Sequence, residues 1–164
     1  MESNELSEEE KVRFIERAIL LSHTDVNTPF GKPFGAVVVV DGTIVGEAFN
    51  TTLRVNDPTA HAEVNAVRAA CIRLATCSLP PQSFLFSSTE PCPLCYSASF
   101  WAGIRQNYFC LGWQDVLEFG FADAKLRKKL GIESQLGEKI VVNNHDYALE
   151  AFRAFSRSHP DWNQ

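Results

Sequence analysis

His61-Ala62-Glu63 and Pro91-Cys92-Pro93-Leu94-Cys95 place one imidazole, one carboxylate and two thiols at the starts of two segments with helical patterning. That set is the donor chemistry of zinc. The metal takes cysteine sulfur and histidine nitrogen in tetrahedral geometry, and three protein ligands leave a fourth position for water, as catalytic sites require. His61, Cys92 and Cys95 are the candidate ligands. Two thiolates cancel the metal's formal charge, so its effect on water is weaker than with three imidazoles and a nearby base should assist; Glu63 is placed for it. Residues two apart on a regular helix point roughly 200° from each other, at ~100° per residue, so His61 and Glu63 share a pocket only where the helix begins. Helix N-termini also present unpaired N–H groups and a positive dipole end, which favour Cys92 and Cys95 as thiolates. A lone Cys-x-x-Cys would more often mark a structural zinc or a redox pair. Here no second Cys-x-x-Cys completes a four-cysteine site, and a redox pair has no use for His61 and Glu63.

The elements that must position these groups are legible in the surrounding patterns. Ser7-Glu8-Glu9-Glu10 has capping-box spacing, and Val12, Ile15, Ile19 and Ser22 follow at helical intervals, which predicts a first helix to about His23. Phe34 to Val40 and Thr43 to Phe49 flank Asp41-Gly42, a two-residue hairpin signal that predicts antiparallel strands. Asn50 to Thr59 reads as a polar loop, and Ala60 to Ala75 as a second helix with Val64, Val67, Ala70, Cys71 and Leu74 on one face. Beyond Pro80-Pro81 come a strand from Ser83 to Ser87, a helix from Leu94 to Ala102 with Pro93 in its first turn, and a strand from Gln106 to Leu111. A helix from about Asp115 to Leu130, a strand from Ile140 to Asn143 and a helix from Tyr147 to Arg157 complete the order αββαβαβαβα. Strands separated by helices imply parallel crossovers, hence one mixed sheet with a hairpin at one side and helices on both faces.

The chain has 164 residues, 45% of them apolar, which suits one domain, 1–164, with a proper core. Fifteen Lys plus Arg against 20 Asp plus Glu give a net charge of −5, an unfavourable field for a polyanion, so nucleic acid is not an expected partner. The basic run Lys125-Leu126-Arg127-Lys128-Lys129 reads as a solvated helix face. The longest purely apolar run, Ala36 to Val40, is far short of the ~20 residues a bilayer crossing needs. An acidic start, MESNELSEEEK, and five cysteines with no disulfide-framework spacing point to the reducing cytoplasm.

His-x-Glu followed by Pro-Cys-x-x-Cys is the known signature of zinc nucleobase deaminases, and the chain resembles the cytidine-deaminase-like superfamily. The likeness covers Pro33-Phe34-Gly35-Ala36-Val37, Asn56-Asp57-Pro58-Thr59-Ala60-His61-Ala62-Glu63 and Thr89-Glu90-Pro91-Cys92-Pro93-Leu94-Cys95. Within the superfamily it looks most like the guanine deaminases, on the segment ahead of His61 and, imperfectly, on Asp115 with Gly120-Phe121-Ala122-Asp123. The resemblance implies an α/β fold, a three-layer αβα sandwich with a five-stranded mixed sheet. It implies zinc on His61, Cys92 and Cys95, with Glu63 as proton shuttle and Asp115 as a second one. Asn50, Ala62 and Trp101 would bind the base, and Trp162 would close the pocket as a C-terminal aromatic, from its own or a neighbouring subunit. Each of several residues has a plainer reading. Asp115 and Glu118 have capping-box spacing, Asn50 suits a turn, Trp101 suits core packing, and Trp162 suits an exposed tail. Phe30 and Phe34 read as core, and His23, His145 and His159 as surface or capping residues. The implied activity is hydrolytic deamination of a free nucleobase, guanine to xanthine and ammonia. Cytosine, an aminotriazine or adenosine in tRNA are alternatives, and a noncatalytic zinc-containing binding domain is a further one. The apolar surface of the second and third helices points to a homodimer.

Overall fold

The computed structural model describes residues 6–104, 106–121 and 123–162. Residues 1–5 of the acidic start and Ala122 of the Gly-Phe-Ala-Asp segment lie outside the described residues.

Helix α1 (Glu8–Ser22) begins at Ser7, whose hydroxyl accepts from the Glu10 N–H while the Glu10 carboxylate accepts from the Ser7 N–H at 2.9 Å. Both arms of the expected capping box therefore form. Strands β1 (Lys32–Val40) and β2 (Thr43–Asn50) pair antiparallel, with Asp41 and Gly42 at φ 49° and 70°, the positive values that a tight turn matched to strand twist requires. The loop after β2 holds a turn of helix, α2 (Thr52–Val55), and then α3 (Ala62–Arg73), β3 (Ser83–Thr89), α4 (Pro93–Trp101) and β4 (Gln106–Leu111) follow. Past β4 the chain forms a 3₁₀ helix (Trp113–Phe119), α5 (Asp123–Leu130), a two-residue β5 (Glu138–Lys139) and α6 (His145–Ser158).

The sheet order is β2-β1-β3-β4-β5. β1 is antiparallel to both of its neighbours, while β3, β4 and β5 are parallel. The hairpin lies at one side, as expected, and the connection from β2 through α3 passes over β1 to reach β3. Alternation along β1 divides the core into two layers. Val37 and Val39 join Phe14, Ile19, Phe86 and Phe152 beneath α1 and α6, while Ala36, Val38 and Val40 join Ala66, Ala70 and Leu85 beneath α3. The result is an αβα sandwich.

Three expectations need correction. The helix expected from Asp115 to Leu130 is divided, because the chain turns left-handed at Gly120 and the 3₁₀ segment and α5 point separately. The strand expected over Ile140 to Asn143 lies earlier, at Glu138–Lys139, with the Ile140 N–H still bonded to the Phe109 carbonyl at 2.8 Å. Ile140 and Val142 are buried and Val141 is exposed, so the alternation was a true burial signal without a continued ladder. The basic run is not all solvated: Arg127 is 2% exposed.

Candidate active site

Parallel strands end at one edge of the sheet, and β1, running the other way, begins there. The ends of β2 (Asn50) and β3 (Thr89, then Glu90), the start of β1 (Lys32, Phe34) and the segment after β4 (Trp113) thus converge on a cavity of about 220 Å³. Ligands bind at this edge of α/β sheets because helices start there and their N–H groups are unpaired.

His61 and Cys92 are the N-cap residues of α3 and α4, each in an extended conformation (φ −66°, ψ 154°; φ −69°, ψ 167°), and neither side chain caps its helix. The extended backbone frees the His61 ring from the direction its helix would impose, so it shares a pocket with Glu63. Pro93, which has no N–H to leave unpaired, occupies the first turn behind Cys92. His61 Nδ1 lies 3.7 Å from Cys92 Sγ and 3.4 Å from Cys95 Sγ, and the two sulfurs are 3.6 Å apart. A tetrahedral zinc with bonds of ~2.0 Å to nitrogen and ~2.3 Å to sulfur has N–S edges of about 3.5 Å and an S–S edge of about 3.8 Å. The triangle of donor atoms matches those edges, so the residues fit the metal.

Glu63 is buried beside this triangle, its Oε2 accepting from Cys95 Sγ at 3.4 Å. Burial first, and the Cys92 sulfur second, push its carboxyl up to about 7. The hydrogen bond from Cys95 outweighs burial and, with His61, lowers the Cys92 thiol, whereas that same bond and burial raise Cys95. Burial works to lower His61, but the bond to Cys92 and the charges of Cys92 and Glu63 hold it above the ordinary histidine value.

The remaining wall carries Lys32, Phe34, Asn50, Phe121 and Asp123. Asn50 Oδ1 accepts from the Thr52 N–H at 3.1 Å and the Thr52 hydroxyl at 2.9 Å, which leaves its amide NH₂ as the group for a ligand. Asp123 Oδ2 accepts from Arg127 Nε at 2.8 Å, while its Oδ1 and Thr89 Oγ1 are buried without a partner. Burial raises the Asp123 carboxyl despite Arg127. Behind it, Arg127 donates to Glu90 Oε1 at 2.9 Å and the Pro91 carbonyl at 3.1 Å, and Glu90 also accepts from the Leu136 N–H at 2.9 Å. This buried hub sets the segment that delivers Cys92.

Of the residues given a site role in the sequence, His61, Glu63, Cys92, Cys95 and Asn50 come together here, while Asp115, Ala62, Trp101 and Trp162 do not line the cavity. Asp115 Oδ2 accepts from the Gly112 N–H at 2.7 Å and from Lys139 Nζ at 2.8 Å, the capping arrangement, outside the cavity. Asp123 occupies the wall instead. The signal was present, since Asp123 and Arg127 have the i, i+4 spacing of a helical ion pair. Ala62 is buried in the layer between α3 and the sheet. Trp101 is 80% exposed at the end of α4, beside Val67, Ile72 and Ala75, because Ser99 and Ala102 take the inward face of that turn and leave Trp101 on the outward one. Trp162 does not line the cavity but packs edge-to-face on Phe155 and stands 5.8 Å from Phe121 and 4.6 Å from Lys32 Nζ, bracing two residues that do. Phe34 is a wall residue rather than pure core, set edge-on to Phe121 at 5.0 Å, and Phe30 is half exposed under the Arg54 guanidinium. Lys32 carried no sequence signal at all.

Residues 8–111 match the model of the cytidine and deoxycytidylate deaminase zinc-binding region. The chain belongs to that zinc-binding deaminase family. Among individual relatives, it is 42% identical over 147 residues to a guanine deaminase of Bacillus subtilis, spanning 87% of this chain and 94% of that one. The solved structure of guanine deaminase from Bacillus subtilis superposes with a TM-score of 0.68 at 36% identity, over 88% of this chain and 92% of the other. A tRNA-specific adenosine deaminase of Agrobacterium fabrum is also 42% identical, but over 83 residues, about half of each chain. The likeness to the guanine deaminase therefore extends well beyond the zinc-binding region and takes in α5.

Proposed function

We propose that this chain is a zinc-dependent hydrolase that converts guanine and water to xanthine and ammonia. The observation that carries the chemistry is the His61–Cys92–Cys95 triangle with a buried carboxylic acid beside it, facing a cavity of about 220 Å³. That volume is below the roughly 300–1,000 Å³ usual for larger ligands and suits one base without its sugar. Likeness over nearly the whole chain to a guanine deaminase supports guanine as that base.

His61, Cys92 and Cys95 would hold the metal, which supplies a Lewis acid that makes water nucleophilic near neutral pH. Glu63 accepts the proton of the attacking water and returns it to the departing amine, so that ammonia rather than amide ion leaves. Burial favours the protonated carboxyl of Glu63, which suits a group that must hold a proton between the two transfers. Asn50 offers N–H donors to an acceptor on the base, and Asp123 Oδ1, buried in the wall with no hydrogen-bond partner, offers an acceptor to a ring N–H. Phe34 and Phe121 cover its flat surfaces.

The test is ammonia release by the zinc-loaded protein from guanine, guanosine, cytosine, cytidine and adenine in parallel. Rapid turnover of guanine with little on guanosine is expected. Turnover confined to another amine would overturn the choice of base and keep the zinc chemistry. Adenosine in tRNA is the reading that the half-chain relatives favour. The net charge of −5 and the burial of Arg127 speak against a polyanion surface, and salt-dependent tRNA binding would revive it.

We also propose that the protein is a cytoplasmic homodimer acting in purine metabolism. The exposed apolar side chains Ile72, Phe100 and Trp101 cluster on α3 and α4 and suit a second copy. Cys71, Cys77, Cys92, Cys95 and Cys110 are free thiols, which fits a reducing compartment.

A further inference from the structure

Lys32 is an uncommon residue for a cavity wall. It is 6% exposed, and among the described residues no carboxylate pairs with it. Its Nζ faces the Trp162 ring at 4.6 Å, which holds the side chain in place without consuming any of its three N–H donors. Burial lowers its pKa, the mark of an ammonium withdrawn from water with a ring face but no carboxylate beside it.

Its position explains what such a group would meet. Lys32 and Asn50 are paired residues on β1 and β2, and both line the cavity. Asn50 has committed its carbonyl oxygen to Thr52 and presents its amide N–H groups. The two strands therefore set side by side two cavity-lining residues whose free polar ends, an ammonium and an amide NH₂, are both donors, and the patch of wall they share is a donor patch. A base edge that fits it must carry two neighbouring acceptors. In guanine the 6-oxo oxygen and N7 form such an edge, whereas a 6-aminopurine places an N–H donor where the oxygen would be.

We propose that Lys32 is a specificity-determining residue that donates to the O6/N7 edge of the base and selects 6-oxopurines over 6-aminopurines. The inference rests on the guanine reading above and names the group that recognises the end of the base away from the reacting amine. A site built to donate rejects an analogue that cannot accept, because its buried donors are then left unpaired.

The experiment compares guanine with 2,6-diaminopurine, which keeps the 2-amine and replaces O6 by an amine, using kcat/KM for release of the 2-amino group with products separated by chromatography. Wild-type enzyme is expected to prefer guanine strongly. Lys32→Met should lower kcat/KM for guanine about 10- to 100-fold, the usual value of a hydrogen bond to a charged donor. It should leave 2,6-diaminopurine unchanged or improved, so that the preference shrinks by about tenfold or more. Lys32→Arg, which keeps charged donors, should retain most of the preference, a rescue that a merely structural role would not produce. If the methionine variant fails to fold, Lys32→Gln carries the same expectation. A folded, zinc-replete Lys32→Met or Lys32→Gln with an unaltered preference overturns the role of Lys32 and leaves guanine deamination standing. A wild-type enzyme that turns over neither base overturns the guanine reading and this inference with it.

Discussion

Glu63 stands in van der Waals and hydrogen-bond contact with the donor triangle, so its shape matters as much as its proton. Glu63→Gln keeps the shape and removes the titrating group; it should retain a full equivalent of zinc and lose turnover by about 100-fold or more. Near-normal ammonia release from the zinc-loaded variant would remove Glu63 from the chemistry. Asp115 and Asp123 separate two kinds of acidic residue. Asp123→Asn should lower kcat/KM by about 10-fold or more, because the wall loses a carboxylate oxygen that is buried and unpartnered. Asp115→Asn should leave kcat/KM within a few-fold and cost about 1 kcal/mol of stability, since Asp115 bonds the Gly112 N–H. Equal effects of the two on turnover would contradict this division. At Lys32 the sign of the stability effect follows from burial. Its folded pKa lies below that of the unfolded chain, so the penalty is complete below the folded value and is relieved as pH rises toward the ordinary lysine range near ~10.4. Lys32→Met should accordingly raise the melting temperature at neutral pH, with a smaller gain in alkaline buffer.

At the scale of elements, two contacts decide whether the ligands meet. Helix α3, which carries His61 and Glu63, lies so close to β2 that a Cβ added at Gly46 would fall 2.3 Å from the Ala66 carbonyl oxygen and 2.6 Å from the Ala70 N–H nitrogen. Both obstacles are backbone and cannot rotate away. Gly46→Ala should therefore displace α3 and cost about 1–3 kcal/mol, read by urea denaturation, with weaker zinc retention as a consequence. The other contact is the Arg127–Glu90 pair, with side chains 2% and 0% exposed. Arg127→Met would leave Glu90 buried without its charge partner, and a loss of about 3–5 kcal/mol is expected. The same change should loosen the Glu90-Pro91-Cys92 segment, because Arg127 also holds the Pro91 carbonyl. The Asp123–Arg127 spacing was readable, but its burial was not: in sequence Arg127 sits among three lysines. The 3₁₀ helix is hidden in the sequence for a similar reason, as its apolar residues continue a helical rhythm that the backbone breaks at Gly120.

For the whole molecule, the zinc site joins the beginnings of α3 and α4, which are separated in sequence by β3 and packed on the sheet. Chelation should lower the melting temperature and Cys92→Ala should lose the metal, both followed by thermal unfolding against zinc content. The exposed cluster around Ile72 and Trp101 makes a corresponding prediction about assembly. Trp101→Glu should convert the dimer to a monomer in sedimentation velocity, whereas a wild-type monomer at micromolar concentration would refute the dimer itself. The His-Cys-Cys donor set with a carboxylate beside it, the hairpin and the alternation of strands and helices were determined by the sequence alone. Each depends on residue type at short range: a donor set, a turn dipeptide, a hydrophobic period. Which acidic residue enters the cavity, which tryptophan faces solvent, and that Lys32 lies beside Asn50 were decided only by tertiary structure. Those placements depend on β1 running against its neighbours and on strand register across the sheet, which bring together residues that no local pattern connects.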